Sequence, residues 1–550
     1  MKTLIVNKFT VILLLIMAFG FGCSEDILRE EPPHILTSET LYKNLDGFYA
    51  GLNGVYNQVR REYEKADDVG LRAGMMMNGT DVIVTNHRNG FAWIAKDWRG
   101  ENNPSSDKIE ANFIWLYEIV NATNTIIDRA QEPDVDWEGA EADSVNKNIV
   151  IGEARTLRAW AYRHLSYLWG GVPLTLHESK GSTIQTDWER ASLSEVRDQI
   201  IKDLKFGAKH VPEEPRGDGT ISKGVAMHYL AEMYLAKGMP DSALYWADEV
   251  INTARYFLVR SPYGEDELFQ NGDSIPFVDM FDYDNALRRD GNFEALWAFP
   301  FKYNVEGGGE SIFRKWNVSR YMAIQIEGVN PFTITRQRGG RGRSRFSMTK
   351  FAIELYESQD HRGSEPMIKK YLILKDADQN SPYNADKLPD GYSYGDTIWF
   401  NYDKPITPTN WSVPDWPWCR KHDGCPKADP TAHDVHKDFP YLRLASTYLL
   451  KAEAQYKLGD AAGAAETINV LRKRANASEI DASDVDIDFI LDERARELIL
   501  EEHRRYHLLR TGKWLERTRA HNHHGGQHIT PRDTVFPIPQ SVIDANLTHE

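Results

Sequence analysis

Cysteine is nearly missing from this 550-residue chain: three in all, too few for a fold built on disulfides. Positive charge is the minority sign. Lys and Arg number 65 against 81 Asp and Glu, a net charge of −16, so the molecule as a whole repels nucleic acid and anionic headgroups. No nucleic-acid partner is expected. Beyond the first 22 residues no apolar run reaches the length of a membrane-spanning helix. H-E-x-x-H, the Walker A pattern and a G-x-G-x-x-G in strand context are also absent. What the chain does hold is an apolar fraction of 41%, enough for a folded body, and a rich aromatic complement of 15 Trp, 25 Tyr and 22 Phe. Its length suits several ordinary domains or one large repeat architecture.

The first segment is an address. Lys2 and Lys8 form a positive start, Val11 to Phe21 is apolar, and small residues lead to Cys23. Ala18-Phe19-Gly20-Phe21-Gly22-Cys23 resembles a bacterial lipobox, with Gly20 where Leu is usual. The Ser24-Glu25-Asp26 that follows resembles the surface-export signal of Bacteroidetes lipoproteins. Residues 1–22 are therefore expected to be removed, leaving a net charge of −18 and a lipid on Cys23 as the only membrane anchor. Cys419 and Cys425 read as a loop-closing disulfide in an oxidising compartment. The rival reading is a metal site with His422, His433 and His436, at spacings too irregular to favour it, and no metal is expected.

Helical periodicity governs most of the chain. Leu444, Ala445, Tyr448, Leu449, Ala452 and Tyr456 form an apolar stripe that stops at Gly459-Asp460, and Ala461, Ala464, Ala465, Ile468 and Leu471 form the next. A shift of 221 residues lays this pair on an earlier one, matching Ala231 to Ala452, Glu232 to Glu453, Gly238 to Gly459 and Ala243 to Ala464. Small residues at these spacings, with a turn between, resemble a tetratricopeptide unit. Two further helical pairs fit upstream, 39–62 with 107–130 and 147–169 with 193–209. Between 256 and 439 the periodicity fades into Gly, Pro, Asn and aromatic residues, with strand-like pieces such as Ala295–Phe299. A loop-rich stretch of that length is usually functional. The expected fold is mainly α: four tetratricopeptide-like helix pairs over about 39–255 and 440–510, carrying a large irregular insertion over about 256–439, in a single domain 23–550.

No catalytic constellation emerges and no cofactor is expected. Gly391-Tyr392-Ser393-Tyr394-Gly395 matches the nucleophile elbow literally, but loop leads into strand there, where the elbow needs strand into helix. His521, His523, His524 and His528 read as a polar surface loop. Five arginines, Arg336, Arg338, Arg341, Arg343 and Arg345, alternate with Gly, Gln and Ser. Pairing with the acidic scaffold is their expected role, and gripping an acidic polysaccharide is the alternative. Trp93, Trp98, Trp316, Trp411, Trp416 and Trp418 lie in polar, loop-like surroundings. An exposed ring there would stack on the apolar face of a pyranose.

Gly152-Glu-Ala-Arg-Thr-Leu-Arg-Ala-Trp160, running on to Leu168-Trp-Gly-Gly-Val-Pro-Leu174, resembles the central motif of the SusD/RagB outer-membrane lipoproteins. So do Trp115–Asn124, Tyr441–Ala445 with Lys451–Ala454, Glu493–Arg510 and Phe536–Gln540. The resemblance implies four tetratricopeptide units under a variable insertion. It also implies a non-enzymatic glycan-binding role at the cell surface, beside a TonB-dependent transporter of the SusC type. A surface glycoside hydrolase, or a peptide-binding or structural member of the same scaffold, is the alternative. Ligand in that family lies among loops after the first helix and in the insertion, which here points to Trp93, Trp98, Asn102 and Trp316. The Glu/Arg-rich segment 484–510 is expected to be a scaffold helix laced by i,i+3 and i,i+4 ion pairs.

Overall fold

The computed structural model describes residues 38–546 apart from 65–71, 86–93, 95–97, 139–142, 181–184, 267, 270–273, 377–384, 405–412 and 427–428. Cys23 and the segment 1–22 lie outside the described residues. Four helix pairs form the scaffold: α1 (Leu45–Arg60) with α2 (Asp107–Arg129), α3 (Asp143–Leu168) with α4 (Leu193–His210), α5 (Lys223–Ala236) with α6 (Pro240–Ile251), and α7 (Leu444–Lys457) with α8 (Ala461–Arg474). Each helix packs on the next, and α6 packs on α7 although about 190 residues separate them in sequence. No helix among the described residues is long and apolar enough to cross a membrane.

Local chemistry explains the helix ends. The Asn44 side chain accepts from Gly47 N at 3.0 Å and starts α1, whose Phe48, Leu52, Val55 and Val59 form the buried stripe. Ser192 and Glu195 close a reciprocal capping box on α4. The α5–α6 and α7–α8 turns are the same turn. Gly238 (φ 71°) and Gly459 (φ 86°) occupy the left-handed region, and the amides of Met239 and Asp460 bond back to Tyr234 O and Gln455 O, both at 2.9 Å. That is the 221-residue shift, realised atom for atom in the backbone.

The insertion leaves and rejoins the scaffold through one antiparallel pair, β1 (Ala295–Phe299) with β2 (Phe439–Arg443), buried on both strands. Between them the chain carries its own small core of Val318, Tyr321, Ile324, Phe332, Leu372, Leu374, Phe400 and Trp418, separate from the main one. Ile83–Val84, after α1, pairs with Ser347–Met348 and ties the first loop to the insertion.

Segment 484–510 departs from expectation. It is two helices, α9 (Ile487–Leu498) and α10 (Arg504–Arg510), broken at Leu500 (φ 60°). Arg496 does pair with Glu493 at i,i+3. Three carboxylates also reach across the fold: Glu493 to Arg362 and Arg472, Glu497 to Arg443 and Arg474, Glu501 to Arg443 and Lys421. Helical spacing showed the charges, but not that the helix is buried and that its partners come from other elements.

Candidate functional site

Trp98 opens a one-turn helix, Trp98–Glu101, and is 2% exposed. Its ring stands edge-on to Trp514 (5.4 Å) and parallel to Phe536 (6.1 Å), with the Arg505 guanidinium 5.1 Å from its centroid. Asn102 is buried too, donating from Nδ2 to Asp533 Oδ1 at 2.8 Å. Trp316 is 1% exposed and carries the Arg345 guanidinium 4.3 Å from its ring centroid. These placements correct the expectation of open stacking rings at Trp98 and Trp316: protein covers the faces a sugar would use. The polar sequence neighbours misled, because the apolar partners Trp514 and Phe536 come from hundreds of residues away. Trp93 and Trp411 lie outside the described residues.

The cysteines are a second correction. Cys419 and Cys425 are both free and buried, so the expected disulfide is not formed. Cys419 belongs to a strand pair opposite Ile368, while Cys425 packs near Gly340 and Arg314. Burial pushes both thiols up to about 11. Their loop is closed instead around Asp423, which accepts from Arg420 Nε (2.9 Å) and Trp418 Nε1 (3.1 Å), while Lys437 Nζ bonds its carbonyl (2.6 Å). His422 lies between Phe313 and Phe439, stacked on each at 3.8 and 4.1 Å, with Nε2 on Leu500 O.

One group among the described residues has metal-ligand spacing: Glu62, His164 and His503, their ligand atoms within 4.8 Å of one another. The donor set does not fit a cation. Arg163 Nη1 donates to His503 Nδ1 (3.0 Å), so the ring proton sits on Nε2 and is given to Glu62 Oε1 (2.7 Å). Tyr441 donates to the other Glu62 oxygen (2.7 Å). This is a buried hydrogen-bond network of the scaffold. Ser393, in the literal G-x-S-x-G, is exposed on a turn leading into the strand Thr397–Trp399, without the strand-to-helix elbow.

The arginine run divides in two. Arg338 is 5% exposed and forked onto Asp386 (2.8 and 2.5 Å), and Arg336 lies 4.2 Å from the Tyr283 ring centroid. Arg338 thus has the carboxylate pairing expected of the run, and Arg336 is held against an aromatic ring. From 341 to 346 burial alternates: Arg341, Arg343 and Arg345 half-exposed, Gly342, Ser344 and Phe346 buried. The segment is pinned to the neighbouring chain, Arg343 N to Lys315 O (2.7 Å) and Arg345 N to Trp316 O (2.7 Å). Gly342 is required, because a Cβ would lie 2.0 Å from Ser319 O. The arginines therefore stand on the outer side of a fixed ribbon.

A second surface of the insertion carries three exposed aromatic residues, Tyr392, Tyr394 and Trp399. Tyr371–Ile373 pairs antiparallel with Thr397–Trp399, setting Tyr371 opposite Trp399 with ring centroids 4.7 Å apart and Trp399 65% exposed. Leu372 turns inward onto the small core, at 1% exposure. Tyr392 and Tyr394 are exposed on the turn just before. Sequence reasoning missed Trp399. The signal was the alternation Thr397-Ile398-Trp399-Phe400, a half-buried strand whose outward members include the Trp.

Comparison with known proteins places the chain. The family description "SusD family" matches residues 282–549, and "Starch-binding associating with outer membrane" matches 45–235. SusD-like protein P25 of Formosa agariphila is 22% identical over 98% of this chain and 96% of its own length. Starch-binding protein SusD of Bacteroides thetaiotaomicron is 37% identical over 131 residues, 23% of each chain. Among solved structures, a SusD homologue of B. thetaiotaomicron aligns with a TM-score of 0.69 at 18% identity, covering 96% of this chain and 99% of that one. A laminarin-binding SusD-like protein aligns at 0.65 and 20%, covering 92% and 98%. The chain belongs to the SusD family.

Proposed function

We propose that this protein captures glycan at the cell surface as a non-enzymatic lipoprotein and passes it to a SusC-like TonB-dependent transporter in the outer membrane. The observation that carries the reading is the Tyr371–Trp399 pair, two rings side by side on the outside of the insertion where solvent already reaches them. A pyranose offers such a surface an apolar C–H face, and the polar groups around it meet the hydroxyls. The names of the relatives, one starch-binding and one laminarin-binding, support the same class of ligand. The family description that associates with the outer membrane supports the location, and the lipobox at Cys23 supplies an anchor.

Incubating the purified protein with a panel of polysaccharides tests the reading through both binding and products. Binding without cleavage is expected, and Trp399→Ala should weaken it by about 1–2 kcal/mol while the melting temperature holds. Turnover of any panel member would make the protein an enzyme instead. Cys23→Ala should release the body from membranes of a strain lacking the transporter.

A further inference from the structure

In a chain with an excess of acid, arginines normally find carboxylates, and most buried ones here do. Several cations of the insertion do not: the buried Arg314 and Lys437 donate to carbonyls, and four others lie together. Among the described residues no carboxylate forms an ion pair with Lys315, Arg320, Arg341 or Arg343, although Asp434 lies close enough to act on Lys315 electrostatically. They are gathered by backbone geometry, not by chance exposure. Arg343 N bonds Lys315 O and Val318 O, Ser344 Oγ accepts from Arg320 N (3.0 Å), and Arg314 Nη1 holds Arg341 O (2.7 Å). The cations also feel one another: Arg341 and Arg320 act on Arg343, and Arg343, Arg345 and Arg314 act on Lys315. Arg341 and Arg343 stand half-exposed on the pinned ribbon, Arg320 is exposed beside it and Lys315 is buried next to it. Like charges gathered in this way raise the free energy of the empty protein, and an arriving anion lowers it. The ribbon shares its footing with the aromatic pair, because Val318 and Leu372 belong to the same small core.

We propose that Lys315, Arg320, Arg341 and Arg343 are the anion-reading edge of the ligand site, so that the glycan captured is an acidic one, bearing carboxylate or sulfate groups. This rests on the glycan-capture reading above and narrows it. Guanidinium forks suit both oxyanions, and two of them on one fixed ribbon would meet charges repeated along a polymer. Neither Arg341 nor Arg343 makes a described side-chain hydrogen bond, so exchanging them should leave the fold intact.

The test uses the full-length protein in detergent and its Arg341→Gln/Arg343→Gln variant. The probes are polygalacturonate, dextran sulfate, neutral laminarin and, as a control for bare charge, polyglutamate. Expected is binding to polygalacturonate or dextran sulfate that weakens with rising salt, falls at least about tenfold in the variant, and exceeds binding to polyglutamate. Whichever polymer binds identifies carboxylate or sulfate as the group read. Binding of laminarin alone, unchanged in the variant, would overturn the acidic ligand while leaving glycan capture standing. Equal binding to polyglutamate would reduce the patch to charge attraction and also overturn it. No binding to any glycan would remove both readings.

Discussion

Arginine meets opposite surroundings in the buried network around α9 and in the insertion ribbon. Arg443 is fully buried and bonded to Glu294, Glu497 and Glu501, and Arg362 equally so to Asp360, Glu493 and Glu497. Their charge is spent inside, on fixing how α9 sits against β2 and the insertion. Arg341 and Arg343 are half-exposed with no such partner among the described residues. The same residue type is thus structural where carboxylates converge on it and available where backbone, rather than carboxylate, holds its segment in place. Stability should follow the first group and ligand affinity the second.

The largest expected effect tests the scaffold side. Arg443→Ala would take the shared cation from three buried carboxylates, leaving Glu294 to Arg474, Glu497 to Arg362 and Arg474, and Glu501 to Lys421, a loss of about 3–5 kcal/mol, read by denaturant unfolding. A variant as stable as the parent would mean that the network is not the fastening described here. Trp98→Ala belongs to the same side. Its ring is packed against Trp514 and Phe536, so truncation should cost about 3–5 kcal/mol of stability with glycan affinity unchanged. Lost affinity at full stability would return Trp98 to the ligand site.

A smaller effect comes from acid. Burial alone would raise the pKa of Asp81, but Arg504 and Arg517 outweigh it and bring the carboxyl down to about 2. A group whose pKa is lower folded than unfolded stabilises above its unfolded value, and that contribution is lost as pH falls. The window therefore runs from about pH 4 down to 2, and the amount is about 2 kcal/mol. Melting temperature should fall across that window, and the slope should be shallower in Asp81→Asn than in the parent.

The same contrast explains what the sequence made legible. The helix pairs were readable because each is local: a stripe, a glycine turn, a second stripe, with Gly238 and Gly459 marking equivalent turns. The departure of the insertion was readable from the loss of period. Contacts between distant elements were not. Nothing near Trp98 announced Trp514 or Phe536, and the Glu/Arg run at 484–510 showed its charges but not the Arg362 and Arg443 that receive them. For the proposed ligand surface, polar loop surroundings did not single out Trp399, which stands on a strand. The arginine run was visible as composition, but only the alternating burial from 341 to 346 separates its inward members from its outward ones.

A pair of lysine exchanges divides the two regions most cleanly, because the effect has opposite signs in them. Burial lowers the pKa of Lys315, and Arg343, Arg345 and Arg314 lower it further against the opposing pull of Asp434, bringing it to about 8 from the usual 10.5. A lysine whose pKa is depressed on folding costs stability while it is charged, and the cost fades as pH rises from about 8 toward 10.5. Lys315→Met keeps the apolar stem and removes that cost, so at pH 7 the melting temperature should hold or rise while affinity for an acidic glycan falls. Lys421 is the counterpart on the side of the buried network, an insertion lysine donating to Glu501 Oε1 (2.5 Å) and Glu497 O (2.7 Å). Lys421→Met removes one of the two cations that those acceptors share with Arg443 and should lower the melting temperature without touching affinity. Two lysine-to-methionine exchanges moving stability the same way would erase the distinction between charge that holds the fold and charge held ready for a ligand.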